Sequence, residues 1–253
     1  MSLPWAFPET SDLEQLFAQI QVKARIPTGI LEFLDNCTQH QKFAIGCSAG
    51  ADSTFLTFLL FYKFPVLQNR LVLCHFNHRL RGEDSGLDEE FVQEMALYLG
   101  IPIKSDSQDS CTKADEASLR NQRIDFFKRM EIHEGISNFF LGHHADDVAE
   151  TYLWRLPRSS TVSGLHAPKP IAVHDQLFFL RPLLNFSRVE IREFLLKCKI
   201  PWREDQSNNE ARYLRNRIRK HVIPAWKESF ECDLLTGIAK TRELLEQDAQ
   251  ALD

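Results

Sequence analysis

The sequence predicts an α/β fold: a doubly wound, mainly parallel sheet with a short N-terminal extension and a C-terminal helical segment. Three observations lead there. Short apolar runs rich in strand formers alternate with longer helix-patterned stretches, in the order β-α-β-α-β-α-β-α. The connections between them are short. Small and polar residues gather after the strands, and sheets of this kind bind ligands outside the carboxyl ends of their strands.

The elements follow in chain order. Residues 1–40 read as an extension with helical stretches at Asp12–Gln21 and Thr28–Cys37. Lys42–Cys47 (KFAIGC) is the first strand; it ends in the small-residue bend Ser48–Ser53 and runs into a helix from Thr54. Arg70–Phe76 (RLVLCHF) is a second buried strand. Asp84–Leu99 is helical, with Leu87, Phe91, Met95 and Leu99 on one face and Gly100 after its end. Ile101-Pro-Ile103 opens a third strand, Asp115–Ile132 is a charged amphipathic helix, Ser137–Gly142 is a fourth strand and Asp146–Leu156 is a further helix. Residues 158–181 read as loop-like, with Leu177–Leu180 a short edge strand. Ser187–Cys198 is a helix opened by a capping box, Ser187 with Glu190. Asn216–Val222 is basic and helical, and Trp226–Asp253 reads as one more helix. The expected organisation is an extension over 1–40, a catalytic domain over 41–224 and a helical segment over 225–253.

Composition narrows the function classes. The 253 residues carry 30 Lys and Arg against 35 Asp and Glu, a net charge of −5. Hydrophobic residues at 43% and charged residues at 26% exclude a disordered tail, a collagen-like fibre and a disulfide mini-protein. No apolar run approaches the ~18 residues of a membrane span. The first residues lack the basic-then-apolar order of a secretory leader, so a cytoplasmic location is expected. Six scattered cysteines without a C-x-x-C pair read as reduced thiols in the core.

Four clusters carry chemistry. In Ser48-Ala49-Gly50-Ala51-Asp52-Ser53, small residues between strand and helix let backbone N–H groups point inward, and the helix adds the positive end of its dipole: a phosphate cradle. Ser48 and Ser53 add hydroxyls, and Asp52 can hold a Mg²⁺ ion. No Gly-Lys-Ser/Thr follows, so this is not a Walker A loop. The plainer reading is a turn with Asp52 or Ser53 as helix N-cap. In His143-His144-Ala-Asp146-Asp147-Val-Ala-Glu150-Thr151, helical spacing brings Glu150 within reach of Asp146 or Asp147, a carboxylate group fit for a cation or an ammonium; the plainer reading is a capping box from Asp147 to Glu150. A zinc site from His75, His78, His143 and His144 matches no common finger spacing. Glu116, Arg120 and Arg123 share a helix face, either as an exposed salt-bridged stripe or with Arg120 reaching phosphate. The run from Pro201 to His221 carries a +3 balance, a solvated face or an RNA-phosphate contact with Tyr213 as a stacking partner.

Together these residues resemble the N-type PP-loop ATPases, and among them the tRNA(Ile)-lysidine synthase family. The family's Ser-Gly-Gly-x-Asp-Ser loop corresponds to Ser48–Ser53. The likeness continues through His75-Phe-Asn77-His78-Arg-Leu-Arg81, Glu116 with Arg120 and Arg123, and Gly142–Thr151. It then takes in Gly164-Leu165, Arg181–Leu184, Asp205–Asn208 and Arg215–Arg219. The blocks stand in family order over residues 41–224. Three positions depart: Ala49 for the usual Gly, Ser159 for a Gly after Arg158, and Ile124 for an aromatic residue. If the loop needs φ > 0 at Ala49, the methyl costs about 1–2 kcal/mol.

The resemblance implies an enzyme using ATP and Mg²⁺, with tRNA(Ile) bearing a CAU anticodon and free lysine as partners and no membrane. ATP phosphates sit on Ser48, Ala49, Gly50, Ala51, Asp52 and Ser53. The C2 oxygen of the wobble cytidine attacks the α-phosphorus, and the lysine side-chain amine then displaces AMP to give lysidine. Asp52, Arg120, Asp147 and Glu150 are the implied catalytic residues, Asp147 and Glu150 the lysine ligands, Asp52 and Asp146 the metal ligands, and Arg158, Arg215 and Arg219 the tRNA contacts. Longer family members carry C-terminal tRNA-binding domains, so this sequence is either a compact form or truncated. Two alternatives stand beside this reading: another PP-loop tRNA-modifying enzyme such as a 2-thiolation enzyme, which generally needs C-x-x-C pairs, and a nucleotide- or RNA-binding relative that has lost catalysis.

Overall fold

The computed structural model of the chain describes residues 5–20, 24–79, 83–107, 116–158, 161, 165, 167–204, 214–229 and 233–252. Helices α1 (Thr10–Ala18) and α2 (Thr28–Asp35) precede β1 (Phe43–Gly46), α3 (Ala51–Lys63) and a 3₁₀ turn at Pro65–Arg70. There follow β2 (Leu71–Asn77), α4 (Glu83–Leu99), β3 (Ile103–Ser107), α5 (Glu116–Glu134), β4 (Asn138–Phe140) and α6 (Ala145–Arg155). The hairpin β5 (Ile171–His174) and β6 (Leu177–Leu180) leads to α7 (Arg188–Lys197).

The six strands form one sheet in the order β3-β2-β1-β4-β6-β5. All neighbours are parallel except β5, which runs antiparallel to β6. Strands inside such a sheet are covered on both faces, which is why β1, β2 and β4 are almost wholly apolar. Alternation sorts their side chains. Phe43, Ile45, Leu73 and Phe140 join the larger core with α1, α3, α4 and α7, while Ala44, Val72, Cys74 and Phe139 join Phe126, Phe127 and Met130 of α5 on the other face. Leu13, Phe17 and Ile30 of the first two helices are fully enclosed in the larger core, so these helices are part of the domain's packing. Order reverses between β1 and β4, and the loops leaving these two strands meet there.

Several expectations are corrected. Residues 158–181 are not all loop, because Ile171–His174 forms β5, and Leu177–Leu180 is not the edge strand but lies between β4 and β5. The missed signal is the turn: Asp175 and Gln176 both take positive φ, 49° and 67°, as a two-residue hairpin of twisted strands needs, and Gln is not a residue that announces it. The plainer alternative for the cluster after β4, a capping box from Asp147 to Glu150, is not what forms: His144 is the N-cap and Asp147 its partner. The helix starts at Ala145, and the N–H of His144 donates to Asp147 Oδ2 at 3.0 Å. The box at Ser187 and Glu190 is present, with Ser187 N–H donating to Glu190 Oε2 at 2.8 Å. The C-terminal stretch holds two helices in place of one: the short α9 (Ile223–Ser229) and the long α10 (Leu234–Leu252), preceded by α8 (Leu214–Arg217) and a π-helical turn at Ile218–Val222.

A third cluster of Val148, Ala149, Tyr152, Leu184, Ile218, Ile223, Leu235 and Ile238 fastens these last helices onto α6. Cys47, Cys74 and Cys198 are buried free thiols and Cys37 is a half-buried one; Cys111 and Cys232 lie outside the described residues. Among the described residues no helix is long and apolar enough to cross a membrane.

Candidate active site

The bend after β1 begins at Cys47, whose N–H donates to Cys74 O at 2.8 Å and whose carbonyl meets His75 Nδ1 at 2.9 Å. Helix α3 starts at Ala51 with Gly50 as N-cap, so neither Asp52 nor Ser53 caps it. The hydroxyl of Ser53 closes the bend from within: it donates to Gly50 O at 3.1 Å and accepts the Ser48 N–H at 3.2 Å. Ala49 stands at φ 65° with no exposed surface, so the left-handed conformation feared for this position is real. Its carbonyl accepts the Arg203 N–H at 2.9 Å from the segment after α7. By helix geometry the first N–H groups of α3 have no intrahelical acceptor and carry the positive end of its dipole. The result is a rigid bend that presents donors to an anion.

The loop after β4 lies directly against it. A Cβ on Gly142 would stand 3.2 Å from the backbone of Asp52 and Ser53, so any other residue there would press this backbone back by a few tenths of an ångström. The same loop delivers His144, whose ring is enclosed by three carboxylates. Its Nε2 is 3.5 Å from Asp52 Oδ2 and 3.6 Å from Asp147 Oδ2, and its Nδ1 is 3.6 Å from Asp146 Oδ2. Burial works against a charge on the ring, but Asp147, Asp146 and Asp52 outweigh it and raise the His144 pKa to about 10. The three carboxylates thus favour the charged ring, against the Arg188 guanidinium, whose Nη2 lies 3.4 Å from Nε2. Burial likewise opposes ionisation of Asp146, yet His144, the Arg188 N–H and Lys227 hold its pKa well below the usual carboxylate range.

Sequence reasoning placed Asp52, Asp146, Asp147 and Glu150 in one neighbourhood, and the structure brings them together with two differences. Asp52 and Asp146 face opposite nitrogens of His144. Asp146 is further engaged by the Arg188 N–H at 2.8 Å and Lys227 at 3.3 Å, so it does not fit the shared magnesium site expected of it. Asp52 does fit a cation, because its Oδ1 is buried without a hydrogen-bond partner. Among the described residues no group of three or more His, Cys, Asp or Glu side chains forms a metal centre. Glu150, expected as a lysine ligand, is fully buried and held by Arg219, with Nε 2.5 Å from Oε1 and Nη2 2.9 Å from Oε2. Both carboxylate oxygens accept from Arg219 and the residue has no exposed surface, so Glu150 does not offer an open site to an ammonium. Arg219, expected on tRNA, sits in the π-helical turn and also approaches Asp147 Oδ1 at 3.8 Å.

Arg120 is exposed on α5, near Arg123 and Arg181. Among the described residues no ion pair joins these three to a carboxylate. Burial, with repulsion from Arg120 and Arg123, lowers the Arg181 pKa to about 10. Arg181 Nη1 donates to Lys169 O at 2.8 Å and its Nε approaches His143 Nδ1 at 3.3 Å. Three guanidinium groups, none paired with a carboxylate among the described residues, suit an anion. Sequence reasoning assigned no role to Arg188 or Lys227, weighed His144 only as a zinc ligand and counted Arg181 only as part of a family block; the position of Arg181 immediately after a strand was the available signal. Arg158 is exposed at the end of α6, with Nη1 donating to Trp154 O at 2.6 Å. The side chains of Glu116 and Arg215, and residues Arg81, Ser159, Gly164, Asp205–Asn208 and Tyr213, lie outside the described ones.

Comparison with known proteins adds three findings. The PP-loop domain family matches residues 22–226. A tRNA(Ile)-lysidine synthase of Geobacter sulfurreducens is 35% identical over 217 residues, covering 83% of this chain and 45% of that protein. One of Chlorobaculum tepidum is 34% identical over 224 residues, covering 84% of this chain and 66% of that protein. Among solved structures, the U34-tRNA thiolase NcsA from Methanococcus maripaludis with its 4Fe-4S cluster superposes with a TM-score of 0.67 at 18% identity, over 93% of this chain and 78% of that chain. At that identity the likeness speaks for the fold alone. The chain spans about half the length of the curated relatives it matches, 45% and 66% for these two.

Proposed function

The chain belongs to the PP-loop domain family, and on that premise we propose that it ligates lysine to C2 of the wobble cytidine of a CAU-anticodon tRNA(Ile), at the expense of ATP. The observation that carries this reading is the meeting of two loops at the β1/β4 reversal: a phosphate cradle and a carboxylate-bearing helix entrance, joined by His144. Residues 41–224 act on this reading as the catalytic unit.

ATP phosphates rest on Ser48–Ser53, whose backbone donors and helix dipole favour the anion. Asp52 would hold the magnesium ion, which neutralises phosphate charge when bound. Arg120, with Arg181 beside it, faces the negative charge that builds as the cytidine oxygen attacks the α-phosphorus and pyrophosphate leaves. The lysine side-chain amine then attacks C2 and AMP departs. Asp147 is the carboxylate that receives the ammonium and takes its proton, as a general base; Glu150 acts through Arg219. The switch from AUG to AUA decoding follows from the modified base.

The test is AMP release from ATP with CAU-anticodon tRNA, with and without lysine. Lysine-dependent release is expected, and Asp52→Ala should abolish the pyrophosphate release that precedes it. Turnover indifferent to lysine would assign a different PP-loop chemistry. Tight tRNA binding without turnover would mark a binding protein.

A further inference from the structure

A single residue joins the phosphate bend to a helix that supplies no part of the β1/β4 site. The segment after α7 is seated by the buried Ile200 and by Trp202, packed against the larger core. It brings the N–H of Arg203 to the carbonyl of Ala49 at 2.9 Å. Thr54 Oγ1 meets the same carbonyl only at 3.4 Å. Ala49 needs a hold from outside. It stands at φ 65°, and for a residue with a Cβ the left-handed region is disfavoured by about tenfold.

The side chain of Arg203 is engaged by α4. Its Nε donates to Asp88 Oδ1 at 2.9 Å, and its Nη2 lies 3.3 Å from Asp84 Oδ1. Asp88 is only 4% exposed, so the guanidinium meets a buried carboxylate, a stronger bond than an ion pair held in water. Helix α4 is itself fixed in the core by the fully enclosed Phe91, Val92 and Met95. The guanidinium also lies over the Trp5 ring, 5.8 Å from its centroid. Arg203 thus grips the bend with its backbone and α4 with its side chain.

We propose that Arg203 is a positioning residue for ATP binding. Its ion pair with Asp88 keeps its N–H on the Ala49 carbonyl, and this clamp maintains the left-handed bend whose N–H groups face the phosphates. The inference rests on the reading of Ser48–Ser53 as the phosphate cradle.

The experiment measures the affinity of the whole chain for a non-hydrolysable ATP analogue, with Ala49 present and with Ala49→Gly. Arg203→Met is made together with Asp88→Asn, so that no buried carboxylate is left without its cation. With Ala49 present, the pair of changes should weaken the analogue about tenfold. In the Ala49→Gly chain it should weaken it less than about twofold, because glycine takes the left-handed conformation unaided. Arg203→Lys with Asp88 intact should keep most of the affinity, since an ammonium can still meet the carboxylate. In the AMP-release assay the paired change should raise KM for ATP and leave kcat alone. Equal losses in both backgrounds overturn the proposal, because Arg203 then supports the fold and not Ala49. So does undiminished affinity in both. Failure of the parent chain to bind the analogue refutes the cradle reading, and amide exchange of the nucleotide-free chain then decides the clamp on its own. The Ser48 N–H is bonded to Ser53 Oγ at 3.2 Å. Loss of the Arg203–Asp88 pair should speed its exchange about tenfold with Ala49 present and leave it unchanged in the Ala49→Gly chain. Exchange that ignores the residue at position 49 overturns the clamp.

Discussion

At the scale of single residues, Ala49 and His144 are the two whose conformation or charge departs most from the ordinary. Ala49 occupies a left-handed conformation that glycine would take freely, pinned by the Arg203 N–H on its carbonyl. Ala49→Gly should stabilise the chain by about 1 kcal/mol in urea melts, the relief of αL strain less the added freedom of the unfolded glycine; no gain would mean that the strain is spent elsewhere. His144 is the second case. Folded, it holds its proton until about pH 10, against 6.5 for an ordinary histidine. Its stabilising contribution is thus complete below about pH 6.5 and fades as the pH climbs toward 10. In the nucleotide-free chain, an NMR titration should place its midpoint near 10. A midpoint below 6.5 would show that burial, not the three carboxylates, governs the ring.

At the scale of elements, the site depends on how near the loop after β4 comes to the first turn of α3. Parallel pairing of Ile45 with Phe140 sets the two strand ends side by side, and Gly142 removes the last obstacle. Gly142→Ala places a methyl group 3.2 Å from backbone atoms of Asp52 and Ser53, which cannot swing aside as a flexible side chain can. ATP-analogue affinity should fall about tenfold or more, the equivalent of ~1.4 kcal/mol, with circular dichroism unchanged. Undiminished affinity would indicate that the loops are not rigidly apposed. Both glycine-related predictions concern the same bend from opposite sides: one relaxes it from within and the other pushes on it from outside.

At the scale of the whole molecule, the C-terminal helices are tied to the catalytic sheet by apolar packing on α6 and by the Arg219–Glu150 pair. Glu150 is fully buried, so removing its cation strands a carboxylate in the core. Arg219→Ala should cost about 3 kcal/mol in urea melts, and Glu150→Gln in the same chain should recover part of it. Equal stability of parent and Arg219→Ala would show that the pair is dispensable. This connection also lets the basic turn after residue 217 influence the helix that carries Asp147, through the ion pairs of Arg219 with Glu150 and Asp147.

The amino-acid sequence alone determined the alternation of strands and helices, the small-residue bend at Ser48–Ser53 and the capping box at Ser187 and Glu190. These are local properties, set by periodicity and by backbone preferences within a few residues. It also carried Asp52, Asp146, Asp147 and Glu150 into one site, because strand-end placement follows from the fold class. Only the tertiary structure decided which charge meets which: His144 with Asp52, Glu150 with Arg219, and Ala49 with the backbone of Arg203. It also decided that β6 lies inside the sheet and β5 at its edge. Such pairings join residues distant in the chain, and their outcome rests on the contest between desolvation and Coulomb attraction, which depends on burial and on distances that spacing along a sequence does not contain.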